Sequence, residues 1–364
     1  MIIDNEVKLD FDDVLIRPMR STLKSRSDVS LEREMTFKYS PYIWKGVPIM
    51  SANMDTTGTF EIAEEFFEHK MITTIHKHYS LDEWKEFINK NKFITHLIDD
   101  YVIPSMGISD DDYEKMIKLN EIYNGFKFIC VDIANGYTEM FSQFISKLRD
   151  VFYDKIIIAG NVATGDMTQE LILAGADIVK VGIGPGSGCT TRLKTGVGVS
   201  QLSAIIDCAN FAHGLGGHII GDGGCNCPGD VAKAFGGGAD FVMIGGMFAG
   251  HKQSGGELIT KYFSTNELNS SRQSTIDIKR YKNFYGMSSQ KANEKYTGGL
   301  KGYRSSEGRE VEIEYRGDIN NTIVDILGGV RSACSYVGSE SIKSLPKCTT
   351  FTRVSKQYNT IFEG

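Results

Sequence analysis

The stretch ADIVKVGIGPGSGCTTR (176–192) joins a short apolar run, typical of a buried strand, to a glycine-rich loop. Similar runs alternate with amphipathic helical patterns along the chain. This alternation predicts an α/β fold with a parallel sheet, and eight apolar strands predict a closed (β/α)8 TIM barrel. An open doubly wound sheet is the alternative, but no G-x-G-x-x-G motif follows the first strand. The other seven runs are VPIMSAN (47–53), MITTIH (71–76), YVIPSMG (101–107), KFICVDIANG (127–136), KIIIAGN (155–161), HIIGDGG (218–224) and ADFVMIGG (239–246).

Composition narrows the class of protein. The 364 residues carry a net charge of −6 without a basic block, which argues against a nucleic-acid partner. No apolar run approaches the roughly 20 residues that span a bilayer, and the N-terminus has no secretory signal. Seven cysteines indicate reduced thiols rather than a disulfide framework, and the pair Cys225 and Cys227 lacks further ligands for a structural metal. We expect a cytoplasmic protein that does not associate with membranes.

Polar residues stand where the predicted strands end. In a (β/α)8 barrel all these ends share one face, and that face carries the active site. We therefore expect them to converge around the cysteine loop. The residues are Asn53, Lys77, Asp132, Asn135, Asn161, Asp222 and Gly245.

The glycines around Cys189 allow the backbone to approach a ligand closely. A nucleophilic thiol needs an exposed, electropositive site, and Arg192 follows three residues later. Carbonyl groups turned inward by such a loop can also hold a monovalent cation. A glycine-rich turn with an incidental cysteine remains the alternative.

GDGG (221–224) and IGG (244–246) end the last two strands, where barrels most often bind phosphate through backbone N–H groups. Asp222 could bind a ribose hydroxyl pair, so a phosphorylated ribose near Cys189 is one interpretation, and two tight turns is the other. Arg26 and Lys77 could bind a second phosphate-bearing ligand or be solvated surface charges.

The chain continues for about 115 residues beyond the eighth strand. NELNSSRQSTIDIKRYK (266–282) is polar and predicts a flexible loop, while the alternating REVEIEY (309–315) predicts a hairpin strand. We interpret 262–316 as a mobile loop and flap over the barrel mouth, and TIVDILGGVRSACSYVG (322–338) as the closing helix. Residues 1–364 would then form a single barrel domain.

Four motifs carry a resemblance across nearly the whole chain. They are LDFDDVLIRP (9–18), GIGPGSGCTTR (182–192), GDGGCNCPGDVAKAFGGGADFVMIGG (221–246) and ILGGVRSACSYVG (326–338). Together they resemble the inosine monophosphate (IMP) dehydrogenase and guanosine monophosphate (GMP) reductase superfamily. The reductase branch is favoured because no CBS modules follow the second strand and because VDIANGY (131–137) and FYGMSS (284–289) are similar to its members. A dehydrogenase without CBS modules and a non-catalytic purine-nucleotide sensor are the alternatives.

The resemblance implies an NADPH-dependent conversion of GMP to IMP and ammonia, in purine interconversion and salvage. Cys189 would form a covalent thioimidate at C2 of the purine, and Thr191 with Glu307 would handle the proton of the departing amine. A homotetramer is also implied. The implied GMP contacts are Asp222, Gly223, Gly224, Gly245, Gly246, Gly286, Met287, Ser288, Arg304, Ser305, Ser306, Glu307 and Gly308. The implied NADPH contacts are Ser25, Arg26, Lys77, Asp132, Ile133, Ala134, Ile183, Gly184, Met287, Tyr303, Arg304 and, from a neighbouring subunit, Ser332, Ala333, Cys334 and Ser335. The implied potassium ligands are the carbonyls of Gly184, Gly186, Cys189 and Arg192.

Overall fold

The computed structural model describes residues 3–268, 274–300, 302–303 and 305–355. Eight parallel strands pair in chain order, and the eighth closes on the first through Val242 and Ile49. The predicted (β/α)8 barrel is therefore confirmed. The barrel strands are Ile49–Ser51, Ile72–Ile75, Val102–Met106, Phe128–Asp132, Ile156–Val162, Ile178–Val181, His218–Asp222 and Phe241–Ile244.

Helices surround the barrel at each predicted amphipathic pattern. The helices that begin at Phe60, Leu81 and Asp110 have side-chain caps. At Leu81–Lys90, Ser80 accepts the Glu83 N–H while the Glu83 carboxylate accepts the Ser80 N–H. No helix in the described part of the chain is long and apolar enough to cross a membrane. The helices between the first and eighth strands are Phe60–Glu68, Leu81–Lys90, Thr95–Tyr101, Asp110–Ile122, Glu139–Val151, Gly165–Leu173, Thr191–Thr195, Gln201–Gly214 and Pro228–Gly236.

The core lies inside the barrel and between the barrel and its helices. Consecutive residues Ile156, Ile157 and Ile158 are all fully buried, because one strand face packs into the barrel and the other against helices. This two-sided burial explains why the strand sequences are continuous apolar runs and do not alternate with polar residues.

The chain ends attach to the outside of the barrel. Strand Val14–Ile16 pairs with Phe351–Arg353, and Arg33–Met35 pairs with Trp44–Gly46. The closing helix Asn320–Val337 confirms the predicted helix and packs beside the 3-10 turn Arg26–Asp28. Three short helical segments complete the surface: Phe11–Asp13, Ile342–Ser344 and Leu345–Cys348.

The segment after the eighth strand differs from the expected loop. Leu258–Leu268, Ser274–Tyr285 and Glu310–Glu314 form a three-stranded antiparallel sheet, and Gln290–Thr297 is a helix. The described part of 266–282 is therefore strand. The reason is cross-strand pairing, for example between Tyr262 and Ile278, which favours β structure for this polar but alternating sequence. The mobility proposed for 262–316 stays a prediction.

Candidate active site

The cysteine loop follows the sixth barrel strand and turns back on itself. The Cys189 N–H donates to the Gly186 carbonyl at 2.9 Å, and the helix Thr191–Thr195 begins directly after the loop. The thiol is partly exposed, and the Thr191 N–H lies 3.5 Å from Cys189 Sγ. The Arg192 guanidinium binds Asp10 at 3.0 Å and the Val199 carbonyl at 2.6 Å.

Backbone hydrogen bonds join the cysteine loop to the segment that carries Glu307. The Thr190 N–H donates to the Glu307 carbonyl at 2.8 Å, and the Arg309 N–H donates to the Gly188 carbonyl at 3.0 Å. Glycine is required here, because a Cβ on Gly286 would lie 2.6 Å from the Gly188 carbonyl oxygen. The two segments therefore form one backbone unit at the barrel mouth.

A hydrogen-bonded chain connects the thiol to a carboxylate 116 residues distant from Thr191 in sequence. Cys189 Sγ donates to Thr191 Oγ1 at 3.1 Å, and Thr191 Oγ1 donates to Glu307 Oε2 at 2.8 Å. A hydroxyl can accept one proton while it releases another, so this arrangement can move a proton between the reacting centre and Glu307.

The glycine loops after the sixth, seventh and eighth strands meet at one point. Gly223 and Gly224 have φ of +87° and +88°, a region that favours glycine. A Cβ on Gly246 would lie 2.5 Å from Ser187 Oγ, whereas one on Gly245 would first meet Met54 Sδ at 3.3 Å. The predicted phosphate contacts of these loops would therefore come from backbone N–H groups.

The predicted residues of the flap lie next to this unit. The Glu307 N–H donates to the Ser288 carbonyl at 3.2 Å, and Ser306 Oγ donates to the Gly308 carbonyl at 3.1 Å. Met287 is partly buried and Ser305 is exposed. Arg304 lies outside the described residues.

Carboxylates and amides predicted at the strand ends do converge. Asn53 Nδ2 donates to Asp132 Oδ2 at 2.7 Å, and Asn161 Nδ2 donates to Asp222 Oδ2 at 2.8 Å. Between the two carboxylates lies Lys180, a residue that the sequence interpretation missed. The sequence signal that could have identified Lys180 is that it is the one charged residue inside the apolar strand Ile178–Val181.

The residues predicted to bind the dinucleotide fall into two groups. One lies at the mouth: Lys77 Nζ pairs with Asp112 at 2.9 Å, and Ala134 is exposed on the loop after the fourth strand. Tyr303 is also exposed. Ile133, Ile183 and Gly184 are partly buried on the loops after the fourth and sixth strands.

The other group surrounds the closing helix. Ser25 caps the turn Arg26–Asp28, which packs beside the helix that carries Ser332, Ala333, Cys334 and Ser335. The Cys334 side chain is buried in the core, and burial raises its pKa to about 11. Within the described part of the chain, no contact joins Arg26 to Lys77.

The carbonyls predicted to hold potassium are compatible with such a role. Among described residues, the Gly184 and Cys189 carbonyls accept no hydrogen bond, while Gly186 and Arg192 accept one each, from Cys189 and Gly196. Each of the latter keeps a second lone pair. The described residues contain no group of three His, Cys, Asp or Glu side chains suited to a metal ion.

Asp55, after the first strand, anchors the flap and was also missed. Its Oδ2 accepts hydrogen bonds from the Tyr285 and Tyr296 hydroxyls, both at 2.6 Å, and from Lys295 Nζ at 2.9 Å. Burial opposes ionisation, but these three donors outweigh it and lower the pKa of Asp55. His78 stacks on Tyr296 with ring centroids 3.5 Å apart, and burial lowers the pKa of His78 to about 4. A neutral ring and an ionised carboxylate therefore attach the flap at neutral pH.

The fold and site together define a (β/α)8-barrel enzyme with a cysteine at the carboxyl ends of its strands. Residues 8–360 match the profile of the IMP dehydrogenase / GMP reductase domain, and the chain belongs to this family. It is 55% identical over 362 residues to the GMP reductase of Vibrio cholerae serotype O1, covering 100% of this chain and 99% of the relative. It is 54% identical over 360 residues to human GMP reductase 2, covering 99% of this chain and 98% of the relative.

Proposed function

We propose that this chain is a GMP reductase, which converts GMP to IMP and ammonia with NADPH as the reductant. The similarity to curated GMP reductases over the full length supports this proposal. The contact from Cys189 through Thr191 to Glu307 is the structural observation that carries it. It joins a nucleophile to a group that can handle the proton of a leaving amine.

Cys189 attacks C2 of the guanine, and its thiol proton passes to Thr191. Bond formation between Sγ and C2 makes the amine a leaving group, and protonation allows it to depart as ammonia. The product of this half-reaction is a thioimidate between Cys189 and the purine. NADPH, when bound, supplies the hydride that C2 receives before the thiolate leaves. GMP, NADPH and two protons thus give IMP, NADP⁺ and ammonium, and the thiol is regenerated.

Glu307 and Thr191 act on the first half-reaction. Thr191 Oγ1 is 3.1 Å from the sulfur and 2.8 Å from the Glu307 carboxylate, so a proton can pass along the chain by two short steps. Expulsion of an amine requires such a proton, whereas hydride transfer does not. Thr191 and Glu307 therefore serve the loss of the amine and not the transfer of hydride.

The remaining predicted residues bind the two nucleotides. Asp222 would accept the ribose hydroxyls of GMP, because its Oδ1 accepts no hydrogen bond from the described residues. The loops of Gly223, Gly224 and Gly246 would donate backbone N–H groups to the phosphate. Lys77 would pair with a phosphate of the dinucleotide and Tyr303 would offer an exposed ring. Potassium on the loop carbonyls would hold the cysteine loop in its turn.

NADPH absorbance tests the proposal. Loss of NADPH with GMP, accompanied by ammonia, supports a reductase, whereas reduction of NAD with IMP indicates a dehydrogenase without CBS modules. Binding of purine nucleotide without either reaction indicates a sensor. Sedimentation equilibrium tests the proposed homotetramer, and a cytosolic location is the compartment we expect.

A further inference from the structure

Lys180 is a buried cation within the barrel. It lies in Ile178–Val181, and its side chain is 4% exposed. Its neighbours Val179 and Val181 are fully buried. A lysine is seldom buried to this degree unless it is paired.

Two carboxylates from different strands pair with this one ammonium group. Lys180 Nζ lies 2.5 Å from Asp222 Oδ2, at the end of the seventh strand, and 3.1 Å from Asp132 Oδ1, at the end of the fourth. Burial disfavours the charged lysine, but both carboxylates outweigh that effect and raise its pKa. The ammonium group is therefore charged at neutral pH.

Amide groups complete the arrangement and limit what each carboxylate can still bind. Asp132 Oδ2 accepts from Asn53 and Oδ1 pairs with Lys180, so each oxygen keeps one further lone pair for a ligand. Asp222 Oδ2 accepts from both Lys180 and Asn161. Asp222 Oδ1 accepts nothing from the described residues, which leaves it available to a ligand.

We propose that Lys180 is a positioning residue that orients Asp222 toward the substrate ribose and Asp132 toward the dinucleotide. This inference rests on the proposed function, in which these carboxylates face GMP and NADPH. Because one ammonium group holds both, it links the two binding sites through a single side chain. Lys180 touches neither reacting atom and acts through the two carboxylates.

Replacing Lys180 by methionine keeps a similar length without the charge. It leaves two carboxylates facing each other across the barrel, and they repel. We expect the Kd for GMP, measured by calorimetry without cofactor, and the KM for NADPH each to rise about 10-fold to 100-fold, since each carboxylate loses a charge-assisted hydrogen bond. The kcat at saturation should fall much less.

Lys233 provides the matched control. It is 5% exposed and pairs with Asp230 at 3.3 Å on the helix after the seventh strand. Lys233→Met also removes a buried cation, but it should leave both affinities within about twofold of wild type. An unchanged GMP Kd in Lys180→Met, or an equal rise in Lys233→Met, would overturn the inference.

If the Lys180→Met protein does not fold, a second pair of variants tests the same inference. Lys180→Met combined with Asp132→Asn removes one cation and one carboxylate, so the net charge of the cluster stays the same. Compared with Asp132→Asn alone, the double variant should still bind GMP about 10-fold more weakly, because Asp222 has lost its cation. Equal GMP affinity in these two variants contradicts the inference. GMP binding by wild type without NADPH oxidation would instead overturn the proposed function and leave the Lys180 test intact.

Discussion

The two ends of the barrel use buried carboxylates differently. At the amino ends of the strands, Asp177 and Asp240 each follow a GA dipeptide and precede a strand. Both oxygens of Asp177 are engaged, Oδ1 by the Tyr39 N–H at 2.8 Å and Oδ2 by Arg149 Nη2 at 2.5 Å. At the carboxyl ends, Asp222 keeps one oxygen free of partners among the described residues.

The engaged oxygens of Asp177 therefore give it a structural role, whereas the open oxygen of Asp222 can bind a ligand. Asp240 accepts from Arg33 at 3.2 Å, from His213 at 2.8 Å and from the Ile219 N–H at 3.0 Å. Burial opposes its ionisation, yet the hydrogen bond from His213 and the nearby His218 ring outweigh it and lower the pKa of Asp240. Changes at the amino ends should alter stability alone, and changes at the mouth should alter activity.

The largest expected effect is at Cys189. Cys189→Ala should reduce GMP turnover by several orders of magnitude, because the covalent route disappears, while GMP binding persists on the other loops. Steady-state turnover and calorimetric GMP binding measure the two separately. Substantial residual turnover would show that the thiol is not the nucleophile.

Glu307→Gln should slow GMP reduction by about 10²-fold to 10⁴-fold, the usual contribution of a positioned acid–base group. The reverse hydride step, from IMP and NADP⁺ to the thioimidate and NADPH, should be slowed far less because it bypasses loss of the amine. Single-turnover measurements of both steps test this. Equal slowing of the two would indicate that Glu307 only organises the flap.

At the amino ends, Asp240→Asn should lower the free energy of unfolding by about 3 kcal/mol, because it leaves the largely buried Arg33 guanidinium without its carboxylate. Urea unfolding measures the loss, and the KM for GMP should stay at the wild-type value. A raised KM for GMP with an unchanged free energy of unfolding would contradict the proposal that carboxylates at the amino ends serve stability alone.

Arg26 and Lys77 test recognition of the dinucleotide phosphate. Replacing both by alanine should raise the KM for NADPH about 10-fold to 100-fold, since charge-assisted hydrogen bonds to the 2′-phosphate are lost. The KM for NADH is the internal control and should change little. Equal effects on the two cofactors would show that these cations do not bind that phosphate.

The smallest effect concerns His218 at the amino ends. Burial disfavours its charged form, but the Asp240 carboxylate, with Oδ1 3.4 Å from His218 Nδ1, outweighs burial and raises the pKa of His218 above 6.5. When the pKa of a group is higher in the folded than in the unfolded protein, its protonation stabilises the fold at pH below the unfolded-state pKa. This stabilisation is lost as pH rises through the folded-state pKa. The unfolding free energy should therefore decline as pH rises from about 6.5. His218→Gln should show a shallower decline, and an identical pH profile would contradict this assignment.

Local patterns accounted for the barrel and for much of the site. Apolar runs separated by amphipathic patterns predicted all eight strands, because strand burial and helix periodicity are properties of short segments. Parallel pairing then placed Asn53, Asp132, Asn161 and Asp222 at one end, since the carboxyl ends of the strands share a face. The pairing of Glu307 with Thr191 was expected from resemblance, not from any local pattern.

For the polar segment 266–282, the local sequence pattern gave a wrong prediction of secondary structure. Its composition indicated a loop, but residues 266–268 end strand Leu258–Leu268, and residues 274–282 belong to strand Ser274–Tyr285, which pairs with Leu258–Leu268 and Glu310–Glu314. Strand structure there depends on partners that only the folded chain supplies.

The sequence by itself determined the barrel, its active face and the thiol-bearing loop, because each depends on residues close together in the chain. Only the tertiary structure decided that Lys180 joins Asp132 to Asp222, and that Asp55 holds the flap through Tyr285, Lys295 and Tyr296. These contacts join residues 42 to 241 positions apart. Composition and periodicity carry no information on such distances, because the closure of the barrel and the packing of the flap bring those side chains together.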